Sequence, residues 1–229
     1  ATSSWAGVNT QALRQAIRPD EQAWLENIQP IGPANAITLK GPSSALAQVV
    51  AGGSARTPYY AQGFNINGTD VFLIADTSGD IWYYNCNANT LSAISYGTVY
   101  QGQFQQCSAA QWKNERILII DGSTGYYDFN GSLLTKNTAL SAPTAGTSIS
   151  TFSGRVWTAF GRTVSYSQPG SYTDFTGASG GSFVITDETL HSSIQQMVTA
   201  NSYLYIFGVD SCNVISDVRV SGAGSTVFT

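Results

Sequence analysis

Apolar and polar positions fall into two regimes along the 229 residues. Residues 1–45 are broken by Pro19, Pro30, Pro33 and Pro42 and read as an arm of extended and short helical segments. Thr10–Arg18 suits a helical turn or two. Pro19–Glu26 predicts a helix start, because proline fits a first helical position and early acids favour the positive end of the helix dipole. Ala36–Lys40 predicts a short strand, closed by Gly41-Pro42. From 46 to 229 the pattern changes. Short β-branched and aromatic runs alternate with Gly, Asn, Asp and Ser, which is strand, turn, strand throughout.

One unit recurs within that second regime. Val71–Asn85, Arg116–Asn130, Arg155–Ser167 and Tyr203–Ser216 each read as an apolar strand, a polar turn and a second strand, hence a hairpin. A further candidate strand precedes each hairpin, within Tyr60–Asp70, Gln106–Glu115, Ser148–Gly154 and Ile194–Ser202. The hairpins start at residues 71, 116, 155 and 203, a repeat of about 40–50 residues. That spacing predicts an all-β, β-propeller-like array of four-stranded blades, with four to five blades countable. Val220–Thr229 reads as the start of another blade, so the array is expected to be incomplete and to close through residues beyond 229 or another element. An irregular β-sandwich is the alternative architecture.

Composition narrows the function classes. Only 10% of residues are charged, against about 25% in typical soluble proteins, and neutral polar residues fill the gap. Such a surface suits a protein packed into an assembly, or a secreted β protein. The net charge of −4 and the scattered Lys and Arg give no basic footprint for gripping nucleic acid. The three cysteines, Cys86, Cys107 and Cys212, form no CxxC pair, and His191 is the single histidine. A Cys/His zinc site is excluded, and the thiols read as small, partly buried groups of a reducing compartment. Apolar runs stop at four or five residues, as in Val71–Ala75, too short to span a membrane as a helix. The N-terminus shows no basic stretch followed by an apolar one, so no signal peptide is expected.

Several constellations resemble catalytic or metal sites, and each has a plainer explanation. Gly177-Ala178-Ser179-Gly180-Gly181 spells the nucleophile elbow, with Asp187 and His191 following in hydrolase order. The elbow needs a helix after its serine, whereas Ser182–Thr186 reads as a strand. The carboxylate pairs Asp76/Asp80, Asp121/Asp128 and Asp187/Glu188 could serve glycoside hydrolysis, but all lie at inferred turns, where Asp bonds its own backbone. Asp76, Ser78 and Asp80 offer alternating oxygens for calcium without the rest of an EF-hand loop. Gly52-Gly53 is followed by no lysine, so no phosphate loop is present. Asn67-Gly68-Thr69 and Asn130-Gly131-Ser132 match the glycosylation acceptor, but Asn-Gly is also the favoured hairpin turn, and without a signal peptide the turn is expected. No catalytic, cofactor-binding or metal residue is therefore expected, and the chain is expected not to be an enzyme.

Aromatic residues make up 12% of the chain. Trp82-Tyr83-Tyr84 and Tyr126-Tyr127 sit on second hairpin strands, where neighbouring residues face opposite sides of the sheet. Packing between blades accounts for them. A glycan-binding surface is the competing use, for which Trp82 and the Tyr126-Tyr127 pair weakly align. A glycan-cleaving propeller would need a central cluster of Arg and carboxylates. Arg116 and Arg155 share a repeat position, but they precede the apolar strand, where a hairpin entry or blade edge is expected.

Three stretches carry a family resemblance. Gly7–Thr10 and Ala23–Ile28, together with the run Phe152–Phe160 and Val164–Phe175, resemble propeller-type tail nozzle or tail tube proteins of short-tailed bacteriophages. The run has an Arg-Val-aromatic start, then Ser-Gln-Pro-Gly, then Phe175. The resemblance spans most of the chain as a pattern, but as letters only these stretches. It implies a structural virion protein in a phage tail, assembled in the host cytoplasm as a homo-oligomeric ring, typically a hexamer. It also implies portal, adaptor and tail-fibre proteins as neighbours and DNA passing through during genome ejection without specific binding. Nozzle proteins are usually much longer, so no lumen or gate residue carries over. A glycan- or receptor-binding β-propeller module is the alternative.

Overall fold

The computed structural model describes residues 54–96, 104–139, 141–176, 179–186, 192–221 and 224–229, together with short strands at 7–8, 21–22, 28–31, 36–39 and 50–51. The chain divides into two compact units, Ala1–Leu46 and Ala47–Thr229. In the first, β1 (Gly7–Val8) pairs in parallel with β2 (Glu21–Gln22), and β3 (Ile28–Ile31) pairs antiparallel with β4 (Ala36–Leu39). The strand expected at Ala36–Lys40 is therefore present. The helix start expected at Pro19–Glu26 is not what forms at Glu21–Gln22, because main-chain pairing with Gly7–Val8 outweighs a weak local preference. Thr10–Arg18 lies outside the described residues.

The second unit is all-β, and no helix occurs among its described residues. It opens with the small pair β5 (Val50–Ala51) and β6 (Ser54–Ala55). Four antiparallel sheets follow, arranged as a four-bladed β-propeller. Blade one is a meander of β7 (Pro58–Ile66), β8 (Thr69–Asp76), β9 (Ile81–Asn85) and β10 (Thr90–Ala93). After β11 (Ser95–Tyr96), blade two runs through β12 (Cys107–Trp112), β13 (Arg116–Asp121), β14 (Gly125–Phe129) and β15 (Leu133–Lys136). Blade three is β16 (Ser148–Phe152), β17 (Arg155–Phe160), β18 (Thr163–Tyr166) and β19 (Gly181–Val184). Blade four has three strands, β20 (Gln196–Ala200), β21 (Tyr203–Phe207) and β22 (Cys212–Ile215). A separate hairpin, β23 (Val218–Val220) with β24 (Thr226–Phe228), ends the chain.

Each hairpin expected from the repeat is in place, preceded by its inferred strand. Two features were not expected. Among the described residues blade four has no fourth strand of its own, and β11 adds to the edge of blade two by pairing in parallel with β15.

Turn chemistry fixes the strand register. Asn67-Gly68 connects β7 to β8 with φ of 51° and 82°, and Ser153-Gly154 connects β16 to β17 with 50° and 67°. Two consecutive left-handed residues make the type I′ turn that matches strand twist. Asn201-Ser202 makes the same connection from β20 to β21 without a glycine, at 49° and 63°. The Asn67-Gly68 match to a glycosylation acceptor is thus a hairpin turn in the structure.

The core lies between blades, because each sheet has two faces and alternate residues serve each. Tyr127, Ile117 and Ile119 of blade two pack with Leu73, Val71 and Phe64 of blade one. Their immediate neighbours Tyr126, Leu118 and Ile120 face the other way and pack with Ile149, Val156 and Phe175 of the third repeat. Trp157 and Val164 of blade three meet Met197, Leu204 and Ile206 of blade four. Fully burying one such side chain contributes about 1.5–3 kcal/mol. Blade two, covered on both faces, accordingly carries the unbroken apolar run Ile117–Ile120.

Candidate functional site

The inner strands of the four blades, β7, β12, β16 and β20, line one basin of about 320 Å3. Their mutual spacing is set by a repeated hydrogen bond. Tyr60, Ser108, Ser148 and Gln196 occupy the same place in their blades, paired with Ala75, Ile120, Ala159 and Phe207 respectively. The Tyr60 hydroxyl accepts the Ala109 N–H of blade two at 3.1 Å. The Ser108 hydroxyl accepts the Ile149 N–H of blade three at 3.3 Å. The Ser148 hydroxyl accepts the Met197 N–H of blade four at 2.7 Å. Inner strands face neighbours to which they are not main-chain paired, so their N–H groups need such acceptors.

The basin wall is polar without charge. Tyr60 donates its hydroxyl hydrogen to Gln62 Oε1, and Ser150 Oγ lies 2.9 Å from Thr199 Oγ1. The Thr199 hydroxyl also reaches the Thr151 carbonyl at 2.8 Å. Gln111 sits at the seam of blades one and two, accepting the Asn65 N–H at 3.0 Å and donating to the Asn65 carbonyl at 2.8 Å. Burial, with Cys107 beside it, holds the Tyr60 phenol above its ordinary range, so it acts as a neutral donor and acceptor. No sequence motif marks these residues. The available signal was a hydroxyl recurring near the start of three of the four pre-hairpin strands, at Tyr60, Ser108 and Ser148.

The residues that resembled catalytic groups are placed differently. Asp76 and Asp121 are fully buried turn anchors. Asp76 Oδ1 accepts the N–H groups of Ser78 at 2.8 Å and Asp80 at 3.1 Å, and its Oδ2 accepts Trp82 Nε1 at 3.0 Å. Those bonds account for the Asp76, Ser78, Asp80 alternation that resembled a calcium loop. Asp121 Oδ1 accepts from the Gln105 and Gln106 backbones, and Oδ2 from the backbones and hydroxyls of Ser123 and Thr124. Burial alone would raise the Asp121 carboxyl, but the donors of Gln106, Ser123 and Thr124 outweigh it and hold it below the usual range. Asp128 is instead raised, by burial first, against the lowering effect of Arg116 at 2.5 Å. The Asn130 side chain caps its own turn, accepting the N–H groups of Ser132 and Leu133.

Ser179 does not stand on an elbow. Its hydroxyl donates to the Gly224 carbonyl at 2.6 Å, and strand β19 follows it, as the sequence implied. Asp187, Glu188 and His191 lie outside the described residues. Arg155 enters its hairpin strand directly after the Ser153-Gly154 turn, as expected, and only 2% of it is exposed. Its guanidinium donates to the Ser167 carbonyl at 2.8 Å and to the Ser179 carbonyl, and lies over the Tyr166 ring. Arg116 lies over the Tyr172 ring, 5.0 Å from its centre. The two arginines therefore tie loops to strands and do not converge.

The aromatic residues divide into two groups. Trp82, Tyr84, Tyr126 and Tyr127 are buried and unavailable to a ligand. On blade four the situation is reversed. Met197, Leu204, Ile206 and Ile215 face blade three, while Val198, Tyr203, Tyr205, Phe207 and Val214 share the opposite face. There Val198, Tyr203, Phe207 and Val214 are 37–47% exposed. The Tyr203 and Tyr205 rings are 6.3 Å apart, and the Tyr205 and Phe207 rings stack at 6.2 Å. Cys212, paired with Phe207, lies exposed on this face. Cys86 is half-buried and Cys107 buried, its thiol pushed up by burial and by the Asp121 charge.

Among the described residues these features define a β-propeller module with a neutral central basin and an exposed apolar face on blade four. No family model matches the chain, and no curated protein matches it. Similar solved structures include the computationally designed Ika4 protein, 11% identical at a TM-score of 0.47, over 76% of this chain and 98% of that one. The extracellular domain of the one component system BT4673 from B. thetaiotaomicron is 10% identical at a TM-score of 0.49, over 79% of this chain and 22% of that one. BBS1N in complex with ARL6DN is 11% identical at a TM-score of 0.45, over 82% of this chain and 61% of that one. The chain thus spans less than two thirds of the latter two. No residue role is taken from any of them.

Proposed function

We propose that this chain is a structural β-propeller subunit of a bacteriophage tail nozzle or tube, which joins a second copy of itself through the outward face of blade four. The observation that carries the reading is that face. Its aromatic and β-branched residues are of the kind buried between the other blades, and they are left open to solvent. Patches of this sort on a protein surface mark interaction sites. Gln196 extends the series Tyr60, Ser108, Ser148, so a neighbouring strand laid against blade four would find a side-chain acceptor at the same place. A subunit held by such a face needs little surface charge, consistent with a chain only 10% charged.

The phage assignment rests on the resemblance of Phe152–Phe175. In this chain those letters hold a loop. Arg155 and the Ser167 hydroxyl bind the strand β17 to the segment after β18, and Phe175 fills the seam between blades two and three. Residues with that task suit a family whose members share blade construction and not chemistry. The accompanying portal, adaptor and tail-fibre neighbours, and the passage of DNA, belong to the same proposal.

The test is the native mass of the protein purified from its source, measured by light scattering, together with alkylation of Cys212 in a Cys86→Ser background. A ring-sized or virion-bound species with Cys212 shielded is expected, and Tyr205→Lys should disperse it and expose the thiol. A clean monomer near 24.3 kDa with Cys212 fully reactive would overturn the reading.

A further inference from the structure

The central basin has a composition that fits one class of ligand. Its wall offers hydroxyls from Tyr60, Ser150 and Thr199 and amides from Gln62 and Gln196, drawn from three blades, with no charged side chain among the lining residues. A cavity of about 320 Å3 is at the small end of the usual range for small-molecule sites. An ion placed there would be desolvated with no opposite charge to meet it, which is costly. An apolar ligand would strip water from the exposed Gln62 and Gln196 side-chain amides without replacing its hydrogen bonds. A neutral molecule rich in hydroxyls answers both constraints, since each hydroxyl donates and accepts. The Tyr60 ring adds a surface on which the C–H face of such a molecule can rest.

We infer that the basin binds a neutral polyhydroxylated ligand, a small saccharide unit without acidic groups. Gln62 belongs to blade one and Thr199 to blade four, so a ring bound to both would bridge the two ends of the array. The side chains that hold the inner strands together also form the wall, so the site is built by the same contacts that space the blades. The basin shares Gln196 and Val198 with the outward face of blade four on which the assembly proposal rests, whereas Gln62 of blade one and Thr199, on the side of blade four that meets blade three, belong to the basin alone. A chain that assembles but ignores saccharides would overturn this inference alone.

The experiment is a binding screen of the full chain against a panel of neutral oligosaccharides, built from hexoses and N-acetylhexosamines, beside sialylated and sulfated counterparts. Titration of wild type, Gln62→Ala and Thr199→Val would follow. Gln62 is exposed, so Gln62→Ala keeps the test valid if Thr199→Val folds poorly, which a thermal melt reveals. The expected result is binding of a neutral glycan, weakened at least tenfold in Gln62→Ala and unchanged in Val209→Ser, a surface variant away from the basin. Absence of binding across the neutral panel, equal affinity in Gln62→Ala, or binding of anionic glycans alone would overturn the inference.

Discussion

The Ser148 hydroxyl accepts a hydrogen bond from the Met197 backbone N–H at 2.7 Å, across the seam between blades three and four. Ser148 is 1% exposed, so nothing else can satisfy that N–H if the hydroxyl is removed. Ser148→Ala should therefore cost about 1–3 kcal/mol, the penalty for a buried donor left without an acceptor. Ser148→Thr, which keeps the hydroxyl, should cost less. Urea denaturation of both variants checks the prediction, and equal losses would show that the seam tolerates an unpaired N–H.

Asp121 predicts a dependence on pH. Its folded carboxyl is held below the ordinary range, so its contribution is fully present above the unfolded value of about 3.9 and is lost as pH falls through the folded one. Asp128, raised in the folded state, works in the opposite sense and is favoured at low pH. Unfolding midpoints measured from pH 7 down to pH 3 should fall for wild type. Asp121→Asn should start lower at pH 7 and show a flatter decline.

The two hairpin turns Ser153-Gly154 and Asn201-Ser202 share a backbone shape but not a glycine. A left-handed residue other than glycine carries a cost of about 1–2 kcal/mol, part of which glycine's greater freedom in the unfolded chain cancels. Ser202→Gly should raise stability by up to about 1 kcal/mol, and Gly154→Ala should lower it by a similar amount. Thermal unfolding of the two variants should shift in opposite directions.

Arg155 is the buried cation of the segment Phe152–Phe175. Arg155→Met would keep much of the packing against Tyr166 but remove the donor to the Ser167 and Ser179 carbonyls. A loss of about 2–3 kcal/mol is expected, in the range of hydrogen bonds to charged groups. Arg155→Lys should recover only part of it, because an ammonium lacks the flat guanidinium face that lies over the Tyr166 ring. Hydrogen exchange at β17 and β18, compared across the three proteins, gives a local readout.

The repeat was visible because each blade must solve the same local problem. A hairpin needs residues that accept left-handed backbone at its turn and alternating faces along its strands, and both requirements write themselves into short stretches such as Asn67-Gly68 and Ile117–Ile120. The buried Asp76 and Asp121 were likewise readable as turn residues, since their partners lie close in sequence. The parallel strand β11 escaped notice because two residues carry too little pattern to announce a partner 38 residues away. The helix start inferred at Pro19–Glu26 failed at Glu21–Gln22 for the related reason that its partner strand, Gly7–Val8, is equally short.

What the sequence determined by itself was therefore local: an all-β chain, its hairpins, its turns and their spacing of about 40–50 residues. What the tertiary structure alone decided was everything that depends on which blade lies against which. Tyr126 and Tyr127 are neighbours in sequence with the same side chain, yet they enter different interblade cores, while Tyr203 on the last blade meets water. Tyr60, Gln62, Ser150 and Thr199 gather at one basin although up to 139 positions separate them. Period and turn chemistry are short-range and repeat along the chain. Burial is a property of the face that a neighbouring sheet covers, and no single blade's sequence records its neighbour.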